Sequence, residues 1–184
     1  KDDGVLKFLY SLSTTFSSFI YVIFFSLFIM PDCCFAHWLP KSELFVGGVG
    51  PGCTLEYVAS VYGQPKEKRW FNSDGVRGVT YIYSPYFSIT GRTGSRDPRP
   101  ESELMGYTLK NNSLSTQSGL TVGIPYETVA GMYGTVKKEY DSYRNKFYYS
   151  YDWDDEKRHY FQPVMCFFVD KNNIITEIYV GTDW

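Results

Sequence analysis

The sequence predicts an α+β fold of two tandem repeats, each a short helix followed by a four-stranded antiparallel meander, with the helices on one face of the sheets. Two observations predict it. GCTLEYVASVYGQP at 52–65 aligns with GIPYETVAGMYGTV at 123–136, which places Gly52 on Gly123. Each segment is then followed by stretches rich in aromatic and β-branched residues between turn-forming residues. Self-similarity at a fixed offset is typical of a duplicated supersecondary unit.

Length and composition limit the classes of protein to consider. The 184 residues suffice for one domain or two small ones. The net charge of −2 leaves no basic excess for a nucleic acid, and no RNA-binding motif is present. The chain contains 17 Tyr and 14 Phe, residues that favour strands and interfaces. We therefore expect a β-rich protein that does not bind nucleic acid.

The chain begins with a long apolar segment. No charged residue occurs from Phe8 to Pro31, lysines precede this stretch, and CFA at 34–36 fits a signal-peptidase site. Residues 1–36 are therefore predicted to be a signal peptide or, alternatively, a membrane anchor, since the uncharged stretch is long enough to span a bilayer. Either alternative predicts a secreted or periplasmic, cell-envelope protein that meets the membrane only through this N-terminal segment.

Each repeat is expected to open with a two-turn helix. The apolar residues recur at helical spacing as Leu55, Val58, Ala59 and Tyr62, and again as Tyr126, Val129, Ala130 and Tyr133. Thr54 suits the N-cap of the first helix, and Pro125 suits the first turn of the second. Gly63 and Gly134 are expected to end the two helices in a left-handed conformation.

Four strands are predicted after each helix. In the first repeat, residues 46–110, they are EKRWF, GVTYIYS, YFSIT and ELMGYTLKN. In the second repeat, residues 119–184, they are KKEYDSY, FYYSYDW, VMCFFVD and IITEIYV. Short turns such as NSDG at 72–75 and KNN at 171–173 separate the strands, and antiparallel strands need no longer connections.

The opening and closing segments carry a resemblance to a known family. The opening pattern consists of Gly52, Thr54, Val58, Gly63 and Pro65, and the closing FFVDKNNIITEI contributes Phe168, Asp170, Asn173, Ile174 and Ile178. This combination resembles the small outer-membrane-assembly lipoproteins of the SmpA/OmlA (BamE) group. A tandem pair of such units is similar to the β-lactamase inhibitor protein fold. The resemblance implies a protein of the cell envelope.

No catalytic, metal or cofactor site is predicted. The histidines, His37 and His159, have no nucleophile in a recognisable motif. The acidic DWDDEK at 152–157 lacks the glycine and glutamate of an EF-hand calcium loop. The glycine-rich GGVGPG at 47–52 is not followed by the lysine of a phosphate-binding loop, which favours a tight turn into the first helix. We therefore expect a non-enzymatic protein without a cofactor.

The cysteines that follow the N-terminal segment are Cys53 and Cys166. Export from the cell permits a disulfide between them. Ile124, which aligns with Cys53, slightly favours buried thiols instead, because a small apolar residue fits the same place. Both alternatives stay open on the sequence.

Aromatic residues on the strands are the strongest candidates for binding. Alternate residues of a strand share a face. Two rows on such faces are Phe147, Tyr149, Tyr151 and Trp153, and Val79, Tyr81 and Tyr83. Each row is either core beneath a helix or a binding surface rich in interface anchors.

The residues predicted to bind a partner are Tyr81, Tyr83, Tyr149, Tyr151 and Trp153. Because a broad aromatic sheet suits a broad surface, the predicted partner is another protein at the cell envelope. The alternative is a glycan- or peptide-binding sensory domain of the envelope.

Overall fold

The structure, a computed structural model, describes residues 38–73, 76–93, 102–153 and 163–182. All of them belong to the compact unit Ala36–Trp184. The predicted signal peptide or anchor at 1–36 lies outside the described residues, as do His159 and most of the acidic turn at 152–157.

The described elements are two α-helices, one 3-10 helix and nine strands. Helix α1 spans Leu55–Tyr62, helix α2 spans Tyr126–Tyr133, and the 3-10 helix spans Lys41–Leu44. The strands are β1 (Trp38–Leu39), β2 (Glu67–Ser73), β3 (Val76–Ser84), β4 (Phe87–Arg92), β5 (Leu104–Leu109), β6 (Lys138–Asp141), β7 (Lys146–Trp153), β8 (Pro163–Val169) and β9 (Ile175–Thr182).

The ends of the two α-helices follow from their local sequence. The Tyr57 N–H donates to Thr54 Oγ1 at 3.1 Å, so Thr54 caps α1 as predicted. Pro125 lies one residue before its predicted place in the first turn of α2, at the N-cap, and no side chain caps this helix. Gly63 and Gly134 end the helices with φ of +78° and +82°, a backbone that only glycine adopts without strain.

The described strands form one continuous sheet in the order β1-β7-β8-β9-β5-β4-β3-β2, with β6 also paired to β7. The seam between the two halves is the antiparallel pairing of β5 with β9, in which Tyr107, Thr108 and Leu109 lie opposite Val180, Tyr179 and Ile178. The sheet is mixed, because β1 runs parallel to β7 while the other pairings are antiparallel.

The predicted pair of tandem helix-plus-meander repeats is therefore wrong. The described residues form a single mixed sheet of nine strands accompanied by two α-helices. Two separate meanders would each leave edge strands with unpaired backbone groups, and the β5–β9 seam removes one such edge from each half. Strand β1, which precedes the first predicted repeat, pairs with β7 of the second half and so crosses the predicted boundary.

One hydrophobic core lies between the sheet and the helices. Its most buried residues include Val58 of α1 and Val129 of α2, together with Ile89, Phe167 and Ile178 of the strands, all without solvent exposure. The opposite face of the sheet, called the open face below, carries a smaller apolar cluster of Val164, Cys166 and Phe168 on β8. The main core therefore lies on the helix side of the sheet.

Cys53 and Cys166 both carry thiols and do not form a disulfide with each other. Cys53 is partly buried against the main core, whereas Cys166 lies in the apolar cluster of the open face. The Cys166 thiol donates to Ser150 Oγ at 3.6 Å. The sequence left a disulfide and two thiols open as alternatives, and the structure contains the two thiols.

Candidate partner-binding surface

The five residues predicted to bind a partner belong to the core rather than to an open surface. Tyr81, Tyr149 and Tyr151 are 7%, 6% and 0% exposed. Tyr83 and Trp153 are partly buried and pack against the same core. At these positions the two aromatic rows contribute to the core, and little of their surface is left for a partner.

Helix α2 covers the middle of the aromatic row on β7. The ring of Tyr126 stacks on that of Tyr149 with their centroids 3.4 Å apart. The hydroxyls of Tyr126 and Tyr151 are hydrogen-bonded at 3.0 Å, and Tyr151 also donates to the carbonyl of Gly134 at 2.7 Å. These bonds satisfy hydroxyls that would otherwise be costly to bury. Burial raises the pKa of Tyr149 and of Tyr151.

The corresponding row of the first half packs around α1. Tyr83 stacks on Phe87 with ring centroids 5.7 Å apart, and Tyr62 of α1 meets Phe87 edge-on at 5.0 Å. Burial raises the pKa of Tyr83 to about 12. Because these rings fill the space beneath α1, this row offers little surface to a partner.

Three aromatic residues of the β6–β7 hairpin are exposed instead, and we call Tyr140, Tyr143 and Phe147 the hairpin patch. Their exposed fractions are 52%, 95% and 49%. Tyr140 and Phe147 lie opposite each other on paired strands, with ring centroids 5.1 Å apart. The ammonium of Lys138 lies 5.2 Å from the centre of the Phe147 ring. The patch thus combines three aromatic rings with one cation.

The tip of the hairpin is held in shape by Asp141. Its Oδ1 accepts a hydrogen bond from the Arg144 N–H at 2.9 Å, and its Oδ2 accepts one from Arg144 Nη1 at 2.8 Å. Asn145 has φ of +53°, the left-handed conformation that asparagine tolerates better than most residues. The hydroxyl of Tyr140 donates to Asn145 Oδ1 and so joins the patch to the turn. Tyr143 is thereby presented on an ordered turn.

A buried carboxylate fixes the hairpin to the open face of the sheet. Glu177 of β9 is 3% exposed and accepts a hydrogen bond from Lys146 Nζ at 2.9 Å. Its other oxygen lies 3.7 Å from Arg144 Nε. The guanidinium of Arg144 also lies 5.0 Å from the Phe168 ring and 4.9 Å from the Tyr179 ring. Ion pairs and cation–π contacts together restrict the movement of the hairpin relative to the sheet.

Acid is expected to loosen the hairpin. The backbone N–H of Arg144, followed by its guanidinium, holds the pKa of Asp141 below the ordinary value of 3.8. A depressed folded-state pKa means that the stabilisation is complete above pH 3.8 and is lost as the pH falls through the lower folded value. We expect protection of the Arg144 amide against hydrogen exchange, compared with amides of β8, to fall over this acidic range. Asp141→Asn should remove that pH dependence, and an unchanged profile would contradict the assignment.

Phe147 emerges from the core because helix and strand differ in length. The row from Phe147 to Trp153 extends roughly 20 Å along β7, at about 3.4 Å per residue. An α-helix of eight residues such as α2 is about 12 Å long. One end of the row therefore projects beyond the helix, and the structure shows that this end is Phe147.

Several other sequence predictions can be compared with the described residues. The glycine-rich segment 47–52 contains Gly47, Gly48 and Gly52 with positive φ, and Val46 pairs with Val49 across it, so it forms the predicted tight turn. Among the described residues, no group of three His, Cys, Asp or Glu could hold a metal ion.

Within the described ranges, no helix is both long enough and apolar enough to span a membrane.

Comparisons with known proteins give two structural neighbours. No family model matches the sequence, and no curated protein matches it. An extracellular protein containing an SCP domain from Bacillus anthracis str. Ames matches with a TM-score of 0.44 and 10% identity, over 72% of this chain and 44% of that one. A cysteine-rich secretory protein from Staphylococcus aureus subsp. aureus Mu50 matches with a TM-score of 0.48 and 14% identity, over 79% of this chain and 49% of that one.

The resemblance to the SmpA/OmlA (BamE) group and to the β-lactamase inhibitor protein fold is wrong, because the described strands form one mixed sheet of nine strands rather than tandem units. The neighbours are instead an SCP-domain protein and a cysteine-rich secretory protein. The chain spans less than half the length of each neighbour, and the likeness concerns the fold alone. The short glycine-ended helix motif that carried the resemblance is compatible with more than one larger arrangement of strands, which is why it did not identify the family.

Proposed function

We propose that this chain is a secreted, non-enzymatic module that binds another protein at the cell envelope through the hairpin patch. The observation that carries the proposal is the nearly complete exposure of Tyr143 on an ordered turn, which joins the two strands that carry the half-exposed Tyr140 and Phe147. Aromatic residues that project from rigid surfaces are the usual anchors of protein interfaces. The apolar N-terminal segment and the signal-peptidase-like CFA at 34–36 support export.

The ordered hairpin supports binding without a large loss of conformational entropy. Asp141 and Glu177 hold both ends of the turn through Arg144 and Lys146. A partner that accommodates the Tyr143 ring in a pocket would not have to order the loop first. Such preorganisation raises affinity. Lys138 beside Phe147 adds a positive charge at the rim, where charges steer association more than they add affinity.

Tyr143→Ala is expected to weaken partner binding by about tenfold, because truncation of an interface anchor costs on the order of 1–2 kcal/mol. The measurement is retention of envelope proteins by the immobilised 184-residue chain, followed by titration of the retained protein against each variant. Tyr57→Ala is the matched control, since Tyr57 is 46% exposed but lies on α1.

The Tyr143→Ala and Tyr57→Ala variants should differ in the amount of partner they retain. Because Tyr143 packs against little else, its replacement should leave the unfolding midpoint unchanged while it lowers retention. Equal retention by the Tyr143→Ala and Tyr57→Ala variants would refute the hairpin patch as the contact surface. Retention of oligosaccharide alone, with no protein, would refute the class of partner.

A further inference from the structure

A second candidate site lies on the open face of the sheet, far along the strand order from the hairpin. A groove of about 340 Å³ crosses strands β2 to β5, a width of roughly 14 Å at the usual strand spacing. It is lined by Arg69, Thr80, Ile82, Ser84, Pro85, Tyr86, Phe87, Ser88, Thr108 and Lys110. Neither α-helix packs there, since Tyr81, Ile89 and Tyr107 point to the core from the same strands.

The floor of this groove consists mainly of hydroxyl groups. Ser88 of β4 lies opposite Thr108 of β5, and Thr80 of β3 lies next to Thr90, with 3.4 Å between the two threonine oxygens. Thr80, Ser88 and Thr108 are half-buried rather than exposed. A hydroxyl both donates and accepts hydrogen bonds, so this row can match the alternating donors and acceptors of sugar hydroxyls.

The rim of the groove carries two cations and one exposed ring. Arg69 is 67% exposed and pairs with Glu67 at 2.6 Å, while Lys110 is exposed and has no ion pair among the described residues. An exposed pair such as Arg69–Glu67 contributes little stability, so Arg69 can turn toward a ligand at small cost. Tyr86 is 52% exposed, and its backbone carbonyl accepts from the Lys110 N–H at 2.8 Å, which fixes the two rim residues side by side.

We propose that this groove binds an acidic oligosaccharide, with carboxylates paired to Lys110 and Arg69, hydroxyls bonded to the floor and one sugar ring stacked on Tyr86. Charge complementarity favours an anionic ligand, because Lys110 has no ion pair among the described residues and the carboxylate that pairs with Arg69, that of Glu67, is not part of the groove lining. The hydroxyl floor favours a sugar over a peptide. An extended peptide would gain its main-chain hydrogen bonds at a sheet edge, whereas the floor lies on strands whose backbone groups are already paired.

The test is a calorimetric and NMR titration of the whole chain with a tetrasaccharide of galacturonic acid, with a neutral tetrasaccharide of glucose as the comparison ligand. We expect the acidic tetrasaccharide to bind more tightly, to shift the resonances of Ser88 and Thr108, and to lose affinity as salt is added. Lys110→Ala should weaken binding about two- to fivefold, as expected for loss of one exposed ion pair. Lys137→Ala, at an exposed lysine just before β6 and therefore in the other half of the sheet, is the matched control.

Three results would overturn this proposal: no binding of the acidic tetrasaccharide, equal binding of the neutral one, or equal affinity of the Lys110→Ala and Lys137→Ala variants. A protein captured through Lys110 and Tyr86 in the retention experiment would also overturn it in favour of a second protein interface. Tyr143→Ala should leave tetrasaccharide binding unchanged, so the groove and the hairpin patch succeed or fail separately.

Discussion

Gly106→Ala is expected to lower the free energy of unfolding by about 3 kcal/mol, the upper end of what overpacking costs. A β-carbon at this position would lie 1.9 Å from the carbonyl oxygen of Val180 and 2.7 Å from its carbonyl carbon. Both are backbone atoms of β9, so no side-chain rotation can relieve the contact. Strand β5 would have to move away from β9, and their pairing is the seam that joins the two halves of the sheet.

Chemical denaturation of Gly106→Ala and of Gly131→Ala tests this expectation. Gly131 lies inside α2, and a β-carbon there meets no atom within 4 Å. Alanine at that position should therefore stabilise the protein by roughly 0.5–1 kcal/mol, through its better helix propensity. If both variants unfolded at the wild-type midpoint, the close approach of β5 and β9 would be incorrect.

Glu43→Ala is expected to lower the free energy of unfolding by about 3 kcal/mol, the scale for hydrogen bonds to a buried charged group. Glu43 is 3% exposed. Its Oε2 accepts from Thr116 Oγ1 at 2.5 Å and from Ser118 Oγ at 2.8 Å, and its Oε1 accepts from the Ser118 N–H at 3.2 Å. Alanine would leave the buried hydroxyl of Thr116 without its acceptor and would release the Ser118 segment from the 3-10 helix.

Two further variants show whether the carboxylate is responsible. Glu43→Gln retains one carbonyl oxygen of similar shape and should recover roughly half of the lost stability, because neutral hydrogen bonds are weaker than charged ones. Glu56→Ala removes an exposed glutamate from the first turn of α1 and should cost only a few tenths of a kcal/mol, about the scale of a helix-dipole contact. Equal midpoints for Glu43→Ala and Glu56→Ala would show that the Glu43 contacts contribute nothing.

The Glu43 contacts also show why the predicted division of the chain is incomplete. The predicted repeats covered 46–110 and 119–184, so Glu43 and the Thr116–Ser118 segment fell outside both. In the structure these two outside pieces are joined to each other, 73 to 75 residues apart in the chain. A lone glutamate in KSEL and a run of serines and threonines carry no periodicity, and the sequence therefore gives no sign that they meet.

Local structure was predictable from the sequence because short-range physics decides it. The apolar spacing around Val58 and Val129 predicted two helices, the Thr54 side chain caps the first as expected, and Gly63 and Gly134 end them with positive φ. The segments predicted as strands after each helix also overlap the observed strands. Each of these features depends on residues within a few positions of one another.

The sequence by itself therefore determined where the chain turns, where it is helical and which residues share a strand face. Only the tertiary structure decided that β5 pairs with β9 and β1 with β7, and hence that one mixed sheet replaces two repeats. It also decided that Tyr149 and Tyr151 are covered by α2 while Phe147 and Tyr143 are exposed. The reason is that strand pairing and burial depend on contacts between residues distant in the chain, and alternation along a strand does not say which part of a face a helix will cover.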